Sequence, residues 1–342
     1  MQTGRGVWFV APRELELREE TLRTPGPGEV RLEGITSLIS AGTEMNVYRG
    51  EIGSAAELVL PTSRGEFPFP MNYGYQVVAR VAELGEGVDL AVGDRVFAVH
   101  AHQDNFVMPA TATNAAGVTR DIVTRVPDGV SSEQAAFSNL FAVALNGLLD
   151  APVRVGDVVA VSGLGVVGSF AAYLARKTAG ALVLIDPLAE RRERAAWIGA
   201  DAVVHPADAA EAIRELSGGR GADIVIEASG APRALQTALE VTGDEGTILV
   251  LSYYGKREVP LLLSPEFHYK RLRIVSSMVA AVGSGLQPRW NRDRRTAVAF
   301  DELRAVDVDT LVSHRLPFAQ SAEAYRLVDE SPAEVLGVLL QY

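Results

Sequence analysis

Hydrophobic and polar positions follow two different rhythms along this chain. Over the first 140 or so residues, short alternating or apolar runs recur at 7–10, 15–20, 29–35, 75–84, 95–99 and 105–109. Turn-forming clusters separate them, among them Pro25-Gly26-Pro27-Gly28, Gly85-Glu86-Gly87 and Gly93-Asp94. A period of two bounded by Gly, Pro and Asp predicts strands, and their regular spacing predicts a partly open barrel or sandwich. From Ser131 the rhythm lengthens. Residues 133–149 read as a helix, after which strand-like and helix-like stretches alternate. Strands are predicted at 158–161, 181–185, 202–204, 223–227, 247–251 and 272–276, and helices at 166–177, 188–198, 208–216 and 232–241. Six strands with crossover helices predict a complete doubly wound α/β domain. The tail breaks the alternation, with an amphipathic helix at 291–305, a strand at 311–315, a helix at 321–329 capped by Ser321, and a strand at 335–341. The expected organisation is a β-rich domain over 1–140, a parallel α/β domain over 141–284, and a return to the first domain over 285–342.

One stretch of the α/β domain carries specific chemistry. Gly163, Gly165 and Gly168 spell G-x-G-x-x-G between an apolar strand and a helix, and the next strand ends in Asp186. The first glycine permits a tight turn, the second lets a diphosphate approach the backbone, and the third lets helix and strand pack closely. The helix N-terminus offers free N–H groups and a positive dipole end to phosphate. An acid at the end of the second strand is placed to accept both hydroxyls of an adenosine ribose, and it repels a 2′-phosphate. The order strand, glycines, helix, strand, acid therefore points to dinucleotide binding, with NAD as the expected form. A glycine-rich turn that only packs helix on strand is the plainer alternative.

Composition narrows the rest. With 342 residues and 48% hydrophobic content, the chain has ample material for two cores. A formal net charge of −11 argues against a nucleic-acid partner. No apolar run reaches the 18 or more residues of a membrane span, and the N-terminal segment lacks the apolar core and cleavage site of a secretory signal, so a cytoplasmic location is expected. There is no cysteine, which removes disulfides, thiolate nucleophiles and every cysteine-containing metal site.

The segments PGPGEVRLEGI (25–35), SAGTEMNVYRG (40–50), VGDRVF (92–97) and GADIVIEASG (221–230), together with the phosphate loop, resemble the medium-chain dehydrogenase/reductase superfamily from end to end. YGYQVVARV (73–81) and PEFHYKRLRIVSS (265–277) are most similar to its branch of bacteriochlorophyllide-type hydroxyethyl dehydrogenases and related enzymes. The resemblance implies a Rossmann domain inserted in a discontinuous, GroES-like catalytic domain. It implies cofactor contacts from Gly163, Gly165, Val166, Val167, Gly168, Asp186, Ser229, Gly230 and Ser252. Zinc-containing members hold a catalytic zinc with a Cys, a His and a third ligand. Here Ala41 stands at the Cys, Tyr75 at the His, and Asn139 or Leu140 near the third position. Zinc prefers thiolate, imidazole or carboxylate, so no metal is expected.

Without the metal, acid/base groups must manage the proton that accompanies hydride transfer. Tyr75 is the first candidate, the alternative being a ring that fills the vacated space. By resemblance, Thr43 matches a proton-relaying hydroxyl and Glu44 an acid that could orient Tyr75, although a turn residue and a helix-capping acid are equally ordinary readings. His102 is the histidine expected nearest the site, unless it is merely a surface loop residue. Asn46, Asn139, Arg289 and Trp290 are candidates for binding a polar substrate. The leading expectation is an NAD-dependent, zinc-independent dehydrogenase for a secondary hydroxyl of a sugar, cyclitol or natural-product intermediate. A zinc-free double-bond reductase and a non-catalytic nucleotide-binding protein are the alternatives. An exposed edge of the parallel sheet suggests a homodimer or homotetramer.

Overall fold

The computed structural model describes residues 2–54, 60, 62–113 and 117–342. Its internal contacts divide the chain into two compact units, Met1–Phe137 with Phe300–Tyr342, and Ser138–Ala299. The architecture is α/β, a doubly wound Rossmann unit interrupting a β-rich one.

In the nucleotide unit, six parallel strands lie in the order Ala202–Val204, Ala181–Ile185, Val158–Ser162, Ala222–Glu227, Thr242–Val250, Arg273–Ser276. In sequence terms this is 3-2-1-4-5-6, whose order reverses beside Val158–Ser162 and so opens a crevice at the strands' C-terminal ends. Because helices cover both faces, the middles of the inner strands are apolar, and Ala160, Val183, Val225 and Ile248 are buried with Leu235, Leu239 and Ile213 of the crossover helices.

In the β-rich unit, the main sheet runs Val123–Arg125, Arg95–Ala98, Val77–Leu84, Glu29–Ile39, Gly337–Gln341, Val312–Pro317, with Asn105–Pro109 also paired to Glu29–Ile39. A smaller sheet joins Thr3–Ala11 to Glu14–Thr21, Met71–Asn72 and Arg64–Gly65. The alternation seen in sequence puts Val30, Leu32, Val77, Ala79, Val81, Val96, Phe106 and Met108 into one core.

Several expected boundaries move, and some of the shifts matter to the site. The strand expected at 29–35 continues to Ile39, which brings Ser37 into the sheet opposite Leu340. The strand expected at 75–84 begins at Val77, leaving Tyr75 in the segment before it. The single helix expected over 133–149 is two, Ser132–Ala136 and Ser138–Asp150, with a capping box built by Ser131 and Gln134. Ser321 does not cap its helix. Gln320 takes that position, and the Ser321 hydroxyl donates to the Phe318 carbonyl. The contacts also place the second unit boundary inside the helix Arg292–Leu303 rather than at 284/285. The reason is local: Ser277 donates to Asp150, and buried Arg295 donates to Asn146 and to the Val279 carbonyl, tying this segment to the Ser138–Asp150 helix. Among the described residues, no helix is long and apolar enough to cross a membrane.

Candidate active site

The phosphate loop has the geometry its glycines require. Gly163 adopts φ +96°, and a Cβ there would lie 2.6 Å from the Ser229 nitrogen. A Cβ on Gly168 would lie 1.8 Å from the Gly163 carbonyl oxygen. A Cβ on Gly165 would meet nothing within 4 Å, so the middle glycine opens onto free space at the N-terminus of the helix Val166–Arg176. Asp186 first braces the loop itself: its Oδ2 accepts from the Leu164 N–H at 2.8 Å and its Oδ1 from the Leu188 N–H at 2.9 Å. Each carboxylate oxygen keeps a further lone pair for a ribose hydroxyl. Arg191 stands 4.0 Å from Asp186, and Arg192 donates to the Asp186 carbonyl.

A second acid supports the neighbouring turn. Glu227, fully buried at the end of its strand, accepts from the Ser229 N–H at 2.7 Å and the Gly230 N–H at 3.0 Å, while the Tyr254 hydroxyl donates to it at 2.7 Å. Ser252 donates weakly to its backbone carbonyl at 3.5 Å. Thus Ser229, Gly230 and Ser252 are gathered with Gly163 at one end of the sheet. Glu227, inside the GADIVIEASG segment, and Tyr254, which organise them, were not among the predicted site residues.

In the β-rich unit the structure gathers all four predicted acid/base residues. Tyr75 is 9% exposed, and its hydroxyl lies near the side-chain hydroxyls of Ser40 and Thr43. Gly74 precedes it at φ +153°, where a Cβ would lie 3.0 Å from Ala101 Cα and 3.2 Å from the His102 ring. That close approach seats Tyr75 beside the 101–102 backbone. Burial pushes the Tyr75 phenol well above its ordinary value, with the Tyr73 and Glu44 charges adding to the effect and the two hydroxyls opposing it. At neutral pH Tyr75 is therefore a neutral phenol that can donate a hydrogen bond.

Glu44 does not orient Tyr75 directly. Its Oε2 accepts from the Ser40 N–H at 3.1 Å, and its Oε1 accepts from His102 Nε2 at 2.8 Å and from the Tyr325 hydroxyl. Nor does Glu44 cap the helix Thr43–Arg49, whose cap position is Gly42 without a side-chain bond. His102 is fully buried rather than on the surface, and its Nδ1 is paired with the Ser37 hydroxyl at 2.7 Å. Both ring nitrogens are thereby committed. Ser37, Ser40, Tyr325 and Tyr342 were not predicted, since the two serines lie some 285 residues or more from the two tyrosines along the chain.

The substrate-binding candidates are less unified. Asn46 is buried in the same short helix as Glu44. Asn139, Arg289 and Trp290 belong to the nucleotide unit. Arg289 is exposed, and the face of Trp290 is covered by the Arg294 guanidinium, 4.2 Å from the ring centroid.

The donor set does not suit a zinc ion. Ala41 offers no ligand atom, and Tyr75 offers a phenol that burial keeps protonated. Among the described residues, no group of three or more His, Asp or Glu side chains is arranged to hold a metal.

Residues 166–294 match the family model described as zinc-binding dehydrogenase. D-guloside 3-dehydrogenase of Shigella flexneri is 32% identical over 268 residues, which is 76% of this chain and 75% of that protein. A Sinorhizobium meliloti 1021 structure of zinc-binding dehydrogenase type, bound to NADP, superposes with a TM-score of 0.80 at 20% identity, covering 100% of both chains. An Escherichia coli CFT073 structure, described as a short chain alcohol dehydrogenase complexed with NADH, gives 0.77 at 21% identity and covers 99% of both.

Proposed function

The chain belongs to the zinc-binding dehydrogenase family of the medium-chain dehydrogenase/reductase superfamily, and from that premise we propose a zinc-independent, NAD-dependent dehydrogenase. It would interconvert a secondary alcohol and its ketone on a sugar, cyclitol or similarly hydroxylated small molecule. The observation that carries this reading is Tyr75, a buried neutral phenol beside the Ser40 and Thr43 hydroxyls at the position where zinc relatives present a metal ligand. A relative named for dehydrogenation of a D-guloside supports a sugar hydroxyl as the target.

Bound nicotinamide would supply the hydride acceptor or donor. The residues present fit its dinucleotide: open space at Gly165 for the diphosphate, and lone pairs on Asp186 for the ribose. The carboxylate favours a free 2′-hydroxyl over a phosphate. Tyr75 manages the proton, donating to the ketone oxygen as its carbon becomes a carbinol. The neighbouring Ser40 and Thr43 hydroxyls would hold the phenol in line and so preorganise its hydrogen bond.

Tyr75→Phe tests this directly with methyl hexopyranosides and NAD as the probe pair. The ring and its packing are kept, so turnover should fall by roughly 10²–10⁴-fold while NADH affinity stays unchanged. Washed samples should carry well under one zinc per chain and keep their activity in chelator. Turnover within a few-fold of the parent, or one tightly held zinc per chain, would overturn the reading. Reduction of a cyclic enone with no alcohol activity would replace it with a double-bond reductase.

We further propose that a second copy pairs with the edge strand Arg273–Ser276, which is hydrogen-bonded to a neighbour on one side and carries exposed Ile274. Unpaired apolar edges are usually covered. Light scattering at micromolar concentration should give a dimer or tetramer, and a monomer would dismiss the idea.

A further inference from the structure

Glu44, His102 and Ser37 are each fully buried, and the cluster they form draws on five separate stretches of chain. Ser37 lies on the central strand Glu29–Ile39, and Glu44 on the helix Thr43–Arg49. His102 lies between the strands Arg95–Ala98 and Asn105–Pro109, and Tyr325 on the helix Ser321–Glu330. Tyr342 follows the strand Gly337–Gln341. Its hydroxyl pairs with Ser37 Oγ at 2.9 Å, and its ring packs against Phe318 with centroids 4.6 Å apart and planes tilted by 31°. Gly34 makes room for that ring, since a Cβ there would lie 2.9 Å from Tyr342 Cγ.

The hydrogen-bond partners allow a continuous chain of donors and acceptors. A carboxylate accepts only, so His102 Nε2 carries the proton that meets Glu44. With that proton on Nε2, Nδ1 pairs with the Ser37 hydroxyl, which can donate to it. With its proton spent, Ser37 Oγ accepts from the Tyr342 hydroxyl. The remaining oxygen of Glu44 holds the Ser40 N–H, and the Ser40 and Thr43 hydroxyls lie beside that of Tyr75. Each link fixes the next.

We propose that His102 and Tyr342 are positioning residues for the acid/base site, acting through Ser37, Glu44 and Ser40 to hold the Tyr75 hydroxyl. This rests on the reading of Tyr75 given above, but it makes a separate claim. A buried carboxylate is costly to keep, and an apolar cluster of the same shape could serve packing alone. What the polar chain adds is directional control of the 40–43 turn, because Glu44 accepts from His102, Tyr325 and the Ser40 N–H at once. Neither His102 nor Tyr342 needs to reach substrate for this.

The test uses full-length protein labelled with ¹³C at tyrosine Cζ, with the Tyr75 resonance assigned by its loss in Tyr75→Phe. Tyr342→Phe keeps the ring and removes one hydrogen bond, and His102→Leu removes both. Both should displace the Tyr75 resonance, His102→Leu more strongly. With methyl hexopyranosides and NAD, kcat should fall about tenfold in Tyr342→Phe and further in His102→Leu, with KM and NADH affinity unchanged. His102→Gln, which retains one donor and one acceptor, should recover most of kcat and return the resonance towards its original position. An unmoved Tyr75 resonance in Tyr342→Phe and Ser37→Ala, with only a lowered Tm, would overturn the proposal. Those two variants also decide the matter if His102→Leu fails to fold. If Tyr75→Phe retains full turnover, the functional reading fails by itself, and the resonance still reports whether the chain positions Tyr75.

Discussion

In the nucleotide unit, the residues from Gly163 to Asp186 that form the phosphate loop and its acid are contiguous, and they act largely through backbone groups. In the β-rich unit, the polar cluster collects Ser37, Glu44, Tyr75, His102, Tyr325 and Tyr342 from separate segments, and it acts through side chains. The first arrangement is specified by the absence of Cβ atoms at Gly163 and Gly168, with Gly165 leaving the space above the helix N-terminus open. The second is specified by the tertiary fold, because none of its members can meet until the sheet and the helix Ser321–Glu330 are assembled. A backbone site tolerates much change in side chains but almost none in its glycines. A side-chain site tolerates change in spacing but not in proton direction.

The largest effect expected from this contrast is at Gly168. An alanine Cβ would fall 1.8 Å from the Gly163 carbonyl oxygen and 3.3 Å from Ala228 Cβ, and the nearest obstacle is backbone that cannot swing aside. Gly168→Ala should weaken NADH binding by at least about 100-fold, roughly 2.7 kcal/mol, or unfold the nucleotide unit outright. Fluorescence titration of the cofactor checks this. Tyr75→Phe, by comparison, should leave the same titration unchanged. Binding within threefold of the parent in Gly168→Ala would show the loop to be more compliant than its contacts imply.

The same contrast explains what could be read before the fold was known. Periodicity and the three glycines place the nucleotide strands, with Ala181–Ile185, Ala202–Val204 and the helix Pro232–Val241 matching their predicted limits. Those elements declare themselves because each strand or helix covers its own window of sequence. Tyr75, Thr43, Glu44 and His102 were legible only as positions in a family resemblance. Their connections were not, since the direction of Glu44 towards His102 rather than Tyr75 depends on where the 101–102 backbone passes Gly74. Ser37 was hidden because its strand runs four residues beyond the obvious alternation. Glu227 and Arg295 looked like ordinary charges in sequence, and only burial reveals them as braces.

A smaller effect should separate the two units by pH. His100 is buried, stacked on Phe106 at 4.0 Å between centroids, and donates from Nδ1 to the Ala101 carbonyl if neutral. Burial pushes its pKa down to about 3 from an ordinary value of 6.5. The folded value lies below the unfolded one, so between these limits the unfolded chain binds the extra proton. Stability is then complete above about pH 6.5 and declines as the pH falls, at about 1.4 kcal/mol per unit, or roughly 2 kcal/mol by pH 5. His100→Phe, which keeps an aromatic face on Phe106, should flatten this acid limb in urea unfolding monitored at pH 7.5 and pH 5. An unchanged slope would assign the acid sensitivity to other groups.

The smallest expected effect concerns Asp186, where the two ways of building a site meet in one residue. Its carboxylate braces the loop through the Leu164 and Leu188 N–H groups, and under the proposed reading it also selects the ribose. Asp186→Ser removes the negative charge and shortens the side chain, so both roles weaken together. NADH affinity should fall about tenfold, equivalent to roughly 1.4 kcal/mol. NADPH affinity should fall less or rise, because the charge that repels a 2′-phosphate is gone while Arg191 and Arg192 remain close by. Parallel titrations with the two reduced cofactors measure the ratio directly. If parent and variant show the same NADH-to-NADPH ratio, Asp186 serves the loop alone. The preference for NAD would then have to be sought in the segment that follows it.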